Sequence, residues 1–274
     1  VKPHTKFQAD IESGLCKMLT IGLGKGDGAT EFHRQAVRHS FGIIEDAARL
    51  VLGRCPVLFG LALLEDGRGD LSQVKALLPA VILTGEKKLL KIAADMMGRI
   101  PFDDIDILVV DRFGKDISGI GMDSNVTGRH RDLVGDFFTT PHVKRIFVRD
   151  LSPGSDGNGN GIGLADVTTR RLVDALDMEK TVKNSVTAIS PEKAAIPLTV
   201  ENDREAIAIC AATAGLASPA AARLVRIRDT KHLEMLQVSV ALANEVHPNP
   251  HLQQASAWGP MEFDRNGNLL PFDG

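Results

Sequence analysis

The sequence predicts an α/β protein built as two α/β domains, and three observations carry that reading. Apolar runs of strand length, "DIDILVVDRFG" and "HVKRIFVRDL" above all, alternate with stretches whose apolar residues recur at helical spacing. The chain has 274 residues, enough for two modest cores. The pattern breaks near residues 95–101, which divides the chain into residues 1–98 and 99–274.

Taken in order, "LCKMLTIGL" (15–23) reads as a buried strand and "GKGDGAT" as the turn after it. Thr30 is then a plausible N-cap for a helix running to about Gly53, with Phe32, Ala36, Val37, Phe41, Ile44, Ala47, Ala48 and Val51 on its apolar face. "PVLFGLALLED" is a second strand, and "EKKLLKIAADMMGRI" a helix with Lys87, Lys88 and Lys91 toward solvent. Beyond Pro101 come the strands at "DIDILVVDRFG" and "HVKRIFVRDL". A long glycine-rich loop leads into a helix at "TTRRLVDAL". "TVENDREAIAICAATAGL" is a capped helix, "AARLVRIRDT" a strand, and "EMLQVSVALANEV" a helix or a second strand. From Pro248 onward the chain is rich in Pro, Asn and Gly and reads as a surface tail.

Composition narrows the function classes. A formal charge of -3 leaves no basic footprint for nucleic acid or an anionic membrane. "CPVLFGLALL" is too short to cross a bilayer, which takes ~20 apolar residues. Cys16, Cys55 and Cys210 form no C-x-x-C pair, so a disulfide scaffold, a zinc finger and a cysteine-ligated cluster are unexpected, and a reducing cytoplasm suits the chain. No secretory leader is expected. The opening "VKPHTKF", without an initiator methionine, suggests a truncated form of something longer.

Lys17 and His33 are the residues whose chemistry stands out. A lysine inside an apolar strand loses hydration, which lowers its pKa toward the range where the amine is nucleophilic. His33, in the first turn of the expected helix, faces the positive end of the dipole, which favours the neutral imidazole that a metal requires. The plainer alternatives are a lysine snorkelling from a strand edge and a partly packed histidine. "GLGKGDGA" invites a phosphate reading at a helix N-terminus but fits neither dinucleotide nor P-loop spacing, so a tight turn is the simpler account. "SDGNGNGIGLAD" begins like a calcium loop, with Asp156, Asn158 and Asn160, but places Val167 where a glutamate is required. Asp111, Arg112, Lys115, Asp116 and Asp123 follow a buried strand, where polar side chains of α/β proteins often meet a ligand or line a solvated loop.

"KPH" followed by "SGLCKMLTIGLGKGDGATEFHR" resembles the nickel-dependent lactate racemase family, whose members use a nickel-pincer nucleotide. In that family a P-H motif precedes a lysine, and a histidine follows the lysine by sixteen residues, the separation of Lys17 and His33 here. The resemblance implies that Lys17 joins the cofactor through a thioamide, that His33 ligates the nickel, and that His4 is the P-H histidine with a proton-transfer or substrate role. The gap from His4 to Lys17 is about three residues longer than in the family. "GKDISG" resembles a G-x-x-K-D-I-N stretch, which implies that Lys115 and Asp116 line an active-site cleft between the two domains. Gly121 and Ser124 stand where lactate-specific members carry glutamine and lysine, a departure that marks a divergent subgroup.

The resemblance spans roughly residues 1–240. It implies that residues 1–98 are the remainder of an amino-terminal cofactor-anchoring domain and that residues 99–274 are the second domain with its tail, the family's earlier part being absent. The expected activity is racemisation or epimerisation of a small-molecule 2-hydroxy acid or sugar acid by removal and return of hydride. Nucleic acid and membrane are not expected partners, and a homo-oligomer is left open. The rival expectation is a non-catalytic binder of an organic anion or nucleotide phosphate; a third is an inactive fragment.

Overall fold

A computed structural model describes residues 1–131, 140–246 and 249–271. The chain clusters into two compact units. Unit 1 comprises Val1–Gly98 with short returns of the chain near His130 and at Val186–Ser190, and unit 2 takes most of the remainder.

Unit 1 opens with an irregular segment, then Leu15–Lys17 (α1) passes through a π-helical turn at Met18–Gly22 toward Lys25–His39 (α2). The strand expected at 15–23 is therefore helical. A short apolar run has no period that separates the two states, and packing settled it. Cys16 and Thr20, four apart, are buried on one face, while Met18 and Leu23 are 60% and 66% exposed on the other. Thr20 Oγ1 donates to Cys16 O at 2.8 Å, a bond that helical backbone makes available.

The single helix expected from residue 31 is two. Thr30 lies inside α2, its hydroxyl donating to Gly26 O rather than capping a terminus. Ser40, at φ 61°, ends α2, and Ile43–Arg54 (α3) follows. Gly60–Glu65 (β1) and Leu71–Leu77 (β2) pair antiparallel, and Ile82–Asp95 (α4) packs on β1. The core of unit 1 gathers Phe7, Ile11, Cys16, Ile21, Ala36, Phe41, Ile44, Ala48 and Ile82.

Unit 2 is a six-stranded sheet. Its strands are Asp104–Phe113 (β3), His142–Leu151 (β4), Val167–Thr169 (β5), Leu198–Val200 (β6), Leu224–Ile227 (β7) and Gln237–Val238 (β8). Their order is β6-β5-β4-β3-β7-β8, parallel except for β8 at the edge. The near-continuous apolar run of β3 is what a parallel strand covered on both faces requires. Ile105, Leu108, Val110 and Phe113 join one core cluster, Ile107 and Val109 the other. Asp203–Thr213 (α5) covers the second face with Ala206, Ile207, Cys210 and Ala211; its N-cap is Asn202, whose side chain accepts from Glu205 N. The expected tail, from Pro248, lies partly outside the described residues; its described part is pinned down, with Leu269 in the core below α5.

Candidate functional site

The helical turn of α1 and the segment before it bring Lys17 and His4 together. Lys17 Nζ lies 2.9 Å from His4 Nε2. The amide N–H of Lys6 donates to His4 Nδ1 at 3.0 Å. An amide N–H can only donate, so Nδ1 must be the nitrogen without a proton, and a neutral imidazole then carries its hydrogen on Nε2. That hydrogen points at Lys17, so the matching partner is a deprotonated amine offering its lone pair. Burial drives the same way: desolvation first, and the charge of Lys2 second, lower the Lys17 pKa to about 8. Lys17 is thus a half-buried amine of lowered pKa set against an imidazole, and the backbone around it is helical rather than extended.

Glu12 organises the loop that carries His4. Its Oε2 accepts from His4 N at 2.6 Å and its Oε1 from Ala9 N at 3.0 Å, while burial raises its pKa. His4 stacks on Phe7 with ring centroids 4.3 Å apart, and Phe7 stacks on Phe41 at 3.9 Å. His33 meets the same Phe41 edge-on at 6.0 Å. The Phe41 ring is therefore the shared wall between the lysine–histidine pair and His33. Because α2 begins at Lys25, His33 sits in the middle of that helix, and the argument from the N-terminal dipole does not apply to it.

The turn bearing Lys17 has Gly14 at its N-cap and no capping side chain of its own. Glu86, fully buried on α4, fills that role: its Oε2 accepts from Cys16 N at 2.8 Å. A β-carbon at position 14 would stand 2.3 Å from Glu86 Oε1, so the glycine makes room for the carboxyl group. Burial raises the Glu86 pKa, against the lowering effect of the Cys16 amide. Glu86→Gln, which keeps the acceptor, is expected to leave stability within about 1 kcal/mol, whereas Glu86→Ala should cost about 2–4 kcal/mol by orphaning the Cys16 amide and opening a cavity. Urea unfolding of the two variants checks this; equal losses would mean that capping is not what Glu86 does. Cys16 itself is no rival nucleophile, because burial and the adjacent Glu86 push its thiol far up.

Lys115 and Asp116 lie in unit 2, in the turn after β3. Lys115 Nζ donates to Asn184 Oδ1 at 2.6 Å and Gly119 O at 2.9 Å, and partial desolvation lowers its pKa. Asp116 Oδ2 accepts from Ser152 Oγ at 2.7 Å. Asp111 is not at a ligand face: it is buried between Arg149 and Arg226. Among the described residues no group of three or more His, Cys, Asp or Glu side chains is placed to hold a metal, and no helix is long and apolar enough to cross a membrane.

Phe7, Glu12 and Glu86 had no legible signal. On the sequence Glu86 is one more charge in an amphipathic helix, and the segment before α1 has no period. Comparisons with family models, curated proteins and solved structures find no match to this chain.

Proposed function

We propose that this protein is a racemase- or epimerase-like enzyme for a 2-hydroxy acid or sugar acid, with a nickel-pincer nucleotide held covalently on Lys17. One observation carries the reading: an amine of lowered pKa set against a histidine whose other nitrogen is tied to the chain. A covalent anchor needs a lysine whose amine is more readily deprotonated than usual, and burial lowers the Lys17 pKa to about 8.

The donor set is consistent with that group. A nickel carried by an attached organic ligand asks for one imidazole, and His33 would supply it. When bound, the group supplies the hydride acceptor, and the rest falls to the chain. Lys17 would hold the cofactor in place, and His4 would hold or pass a proton at Nε2. Phe7 and Phe41 would keep water from the pair. A cytoplasmic setting without nucleic acid or membrane belongs to the same reading.

The test is protein made alongside the cofactor-producing machinery, read by intact mass and nickel content. Wild type is expected to carry a covalent increment on Lys17 that Lys17→Ala abolishes. His33→Ala should keep the increment and lose most of the nickel. Wild type emerging at its unmodified mass, without nickel, would sink the proposal.

A second reading, a non-catalytic binder of an organic anion or nucleotide phosphate, draws on Gly121 and Ser124. Gly121 has φ +77°, and a β-carbon there would come within 2.0 Å of Phe113 Cζ. Ser124 is fully buried. Neither position can present the glutamine or lysine of lactate-specific enzymes without rebuilding the turn. Thermal stabilisation by a nucleotide that survives both Lys17→Ala and His33→Ala would favour this reading.

A further inference from the structure

Chain order along the sheet of unit 2 runs β3, β4, β5, β6 in one direction, then returns to place β7 on the other side of β3. The loops leaving the carboxyl ends of β3 and β7 therefore depart in opposite directions, the arrangement that opens a ligand crevice in α/β sheets. Here the two loops also clasp each other. Arg112 N donates to Arg228 O at 2.8 Å, Asp123 N to Thr230 Oγ1 at 3.1 Å, and Lys231 Nζ to Asp116 O at 3.0 Å.

Two features there point to a ligand. The first is charge. Lys115 and Lys231 both direct their ammonium groups at the turn 114–119, and their partners are neutral oxygens: Gly119 O and Asn184 Oδ1 for one, Asp116 O for the other. Among the described residues no carboxylate oxygen pairs with either, and the nearby Asp116 carboxylate is engaged by Ser152 Oγ. The second is His232. Its Nδ1 lies 2.9 and 2.8 Å from the two carboxylate oxygens of Asp229, which is buried and also accepts the amides of Lys231 and His232. The carboxylate holds the hydrogen on Nδ1, so Nε2 of the neutral ring is an acceptor. The His232 side chain is 39% exposed, and Nε2 has no hydrogen bond among the described residues.

We propose that the carboxyl ends of β3 and β7 form a binding site for a small hydroxylated organic anion. Lys115 and Lys231 take its carboxylate or phosphate, and His232 Nε2 accepts the hydrogen bond of its hydroxyl. Nothing in the Lys17 reading requires this site, and it can fail or stand independently of any cofactor.

The test uses the unmodified full chain and three probes followed by calorimetric titration: lactate, propionate, which lacks the hydroxyl, and glycerol 1-phosphate. Lactate or glycerol 1-phosphate is expected to bind, and the stronger of the two tells carboxylate from phosphate. Lys115→Met and Lys231→Met should each weaken that probe about tenfold or more. His232→Gln should bring lactate down to the affinity of propionate and leave propionate unchanged. In the wild type, the Nε2 resonance of His232 should move on saturation. Failure of both hydroxylated probes to bind would overturn the proposal, as would affinity that survives the double lysine variant. Equal losses of lactate and propionate in His232→Gln, with no shift at Nε2, would also overturn it, because Asp229 and His232 would then only shape the loop. The lysine variants sit at solvent-reachable positions, and their thermal unfolding confirms that they fold.

Discussion

Asp111→Ala is expected to destabilise unit 2 by about 3–5 kcal/mol, the range for stripping one partner from a buried ion pair. Asp111 lies on β3, where Arg149 Nη1 reaches it at 2.7 Å and Arg226 reaches it through Nε at 2.8 Å and Nη2 at 2.7 Å. All three side chains are buried. Without the carboxylate, two guanidiniums remain in a low-dielectric interior. Arg149 would keep Asp203, and Arg226 would keep the neutral acceptors Gln237 Oε1 and Leu270 O. The damage should spread to the tail. Arg149 donates to Leu269 O, Arg226 to Leu270 O, and Asp203 Oδ2 accepts from Leu269 N. Chemical unfolding of wild type and variant gives the loss, and limited proteolysis gives the tail, which should be cut faster in the variant. A loss below about 1 kcal/mol would show that the network is not held by Asp111.

Lys17 is expected to react with amine-directed reagents far ahead of the other lysines. An amine of pKa about 8 is neutral roughly 300 times more often at pH 7 than one of pKa 10.5. Competitive labelling at low reagent concentration, read by peptide mass spectrometry, should mark Lys17 first, with a half-maximum near pH 8. The same shift has a stability consequence whose sign is fixed by linkage. Between pH 8 and 10.5 the unfolded state binds the proton that the folded state has released, so stability rises with pH across that window. Below pH 8 both states are protonated, and the folded state bears the full cost of burying the charge. Lys17→Met removes that cost. It should stabilise the protein at pH 7 by on the order of 2–3 kcal/mol, a gain that fades as pH approaches 10.5. A destabilised Lys17→Met at pH 7, or labelling of Lys17 no faster than of Lys25, would show an ordinary solvated lysine. A stabilising loss of a polar residue is the usual mark of a site kept for function rather than for folding.

Much of unit 2 could be read from the chain. β3, β4 and β7 follow from apolar runs that need cover on both faces, and α5 from the capped helical stretch at "TVENDREAIAICAATAGL". The short β5 and β6 escaped notice, because three residues carry no pattern. In unit 1 the hairpin strand β2 was invisible for a different reason: it is largely exposed, and exposed strands lack the alternation that reveals a buried face.

The site divides along the same line. Residue chemistry singled out Lys17 and His33, and the resemblance added His4, Lys115 and Asp116. The apolar pattern places Lys17 in a strand and His33 at a helix start, whereas both lie within helical segments.

What the sequence by itself determined is which segments must be buried and which side chains are costly to bury, since both follow from composition and spacing along the chain. Only the tertiary structure decided that residues 15–22 are helical and that an amide of Lys6 settles which nitrogen of His4 faces Lys17. It also decided that Glu86, seventy residues away, caps their turn. The physical reason is one of range. Hydrophobic pattern is a property of neighbouring residues, whereas a hydrogen-bond partner, a tautomer and a lowered pKa belong to groups brought together from distant parts of the chain.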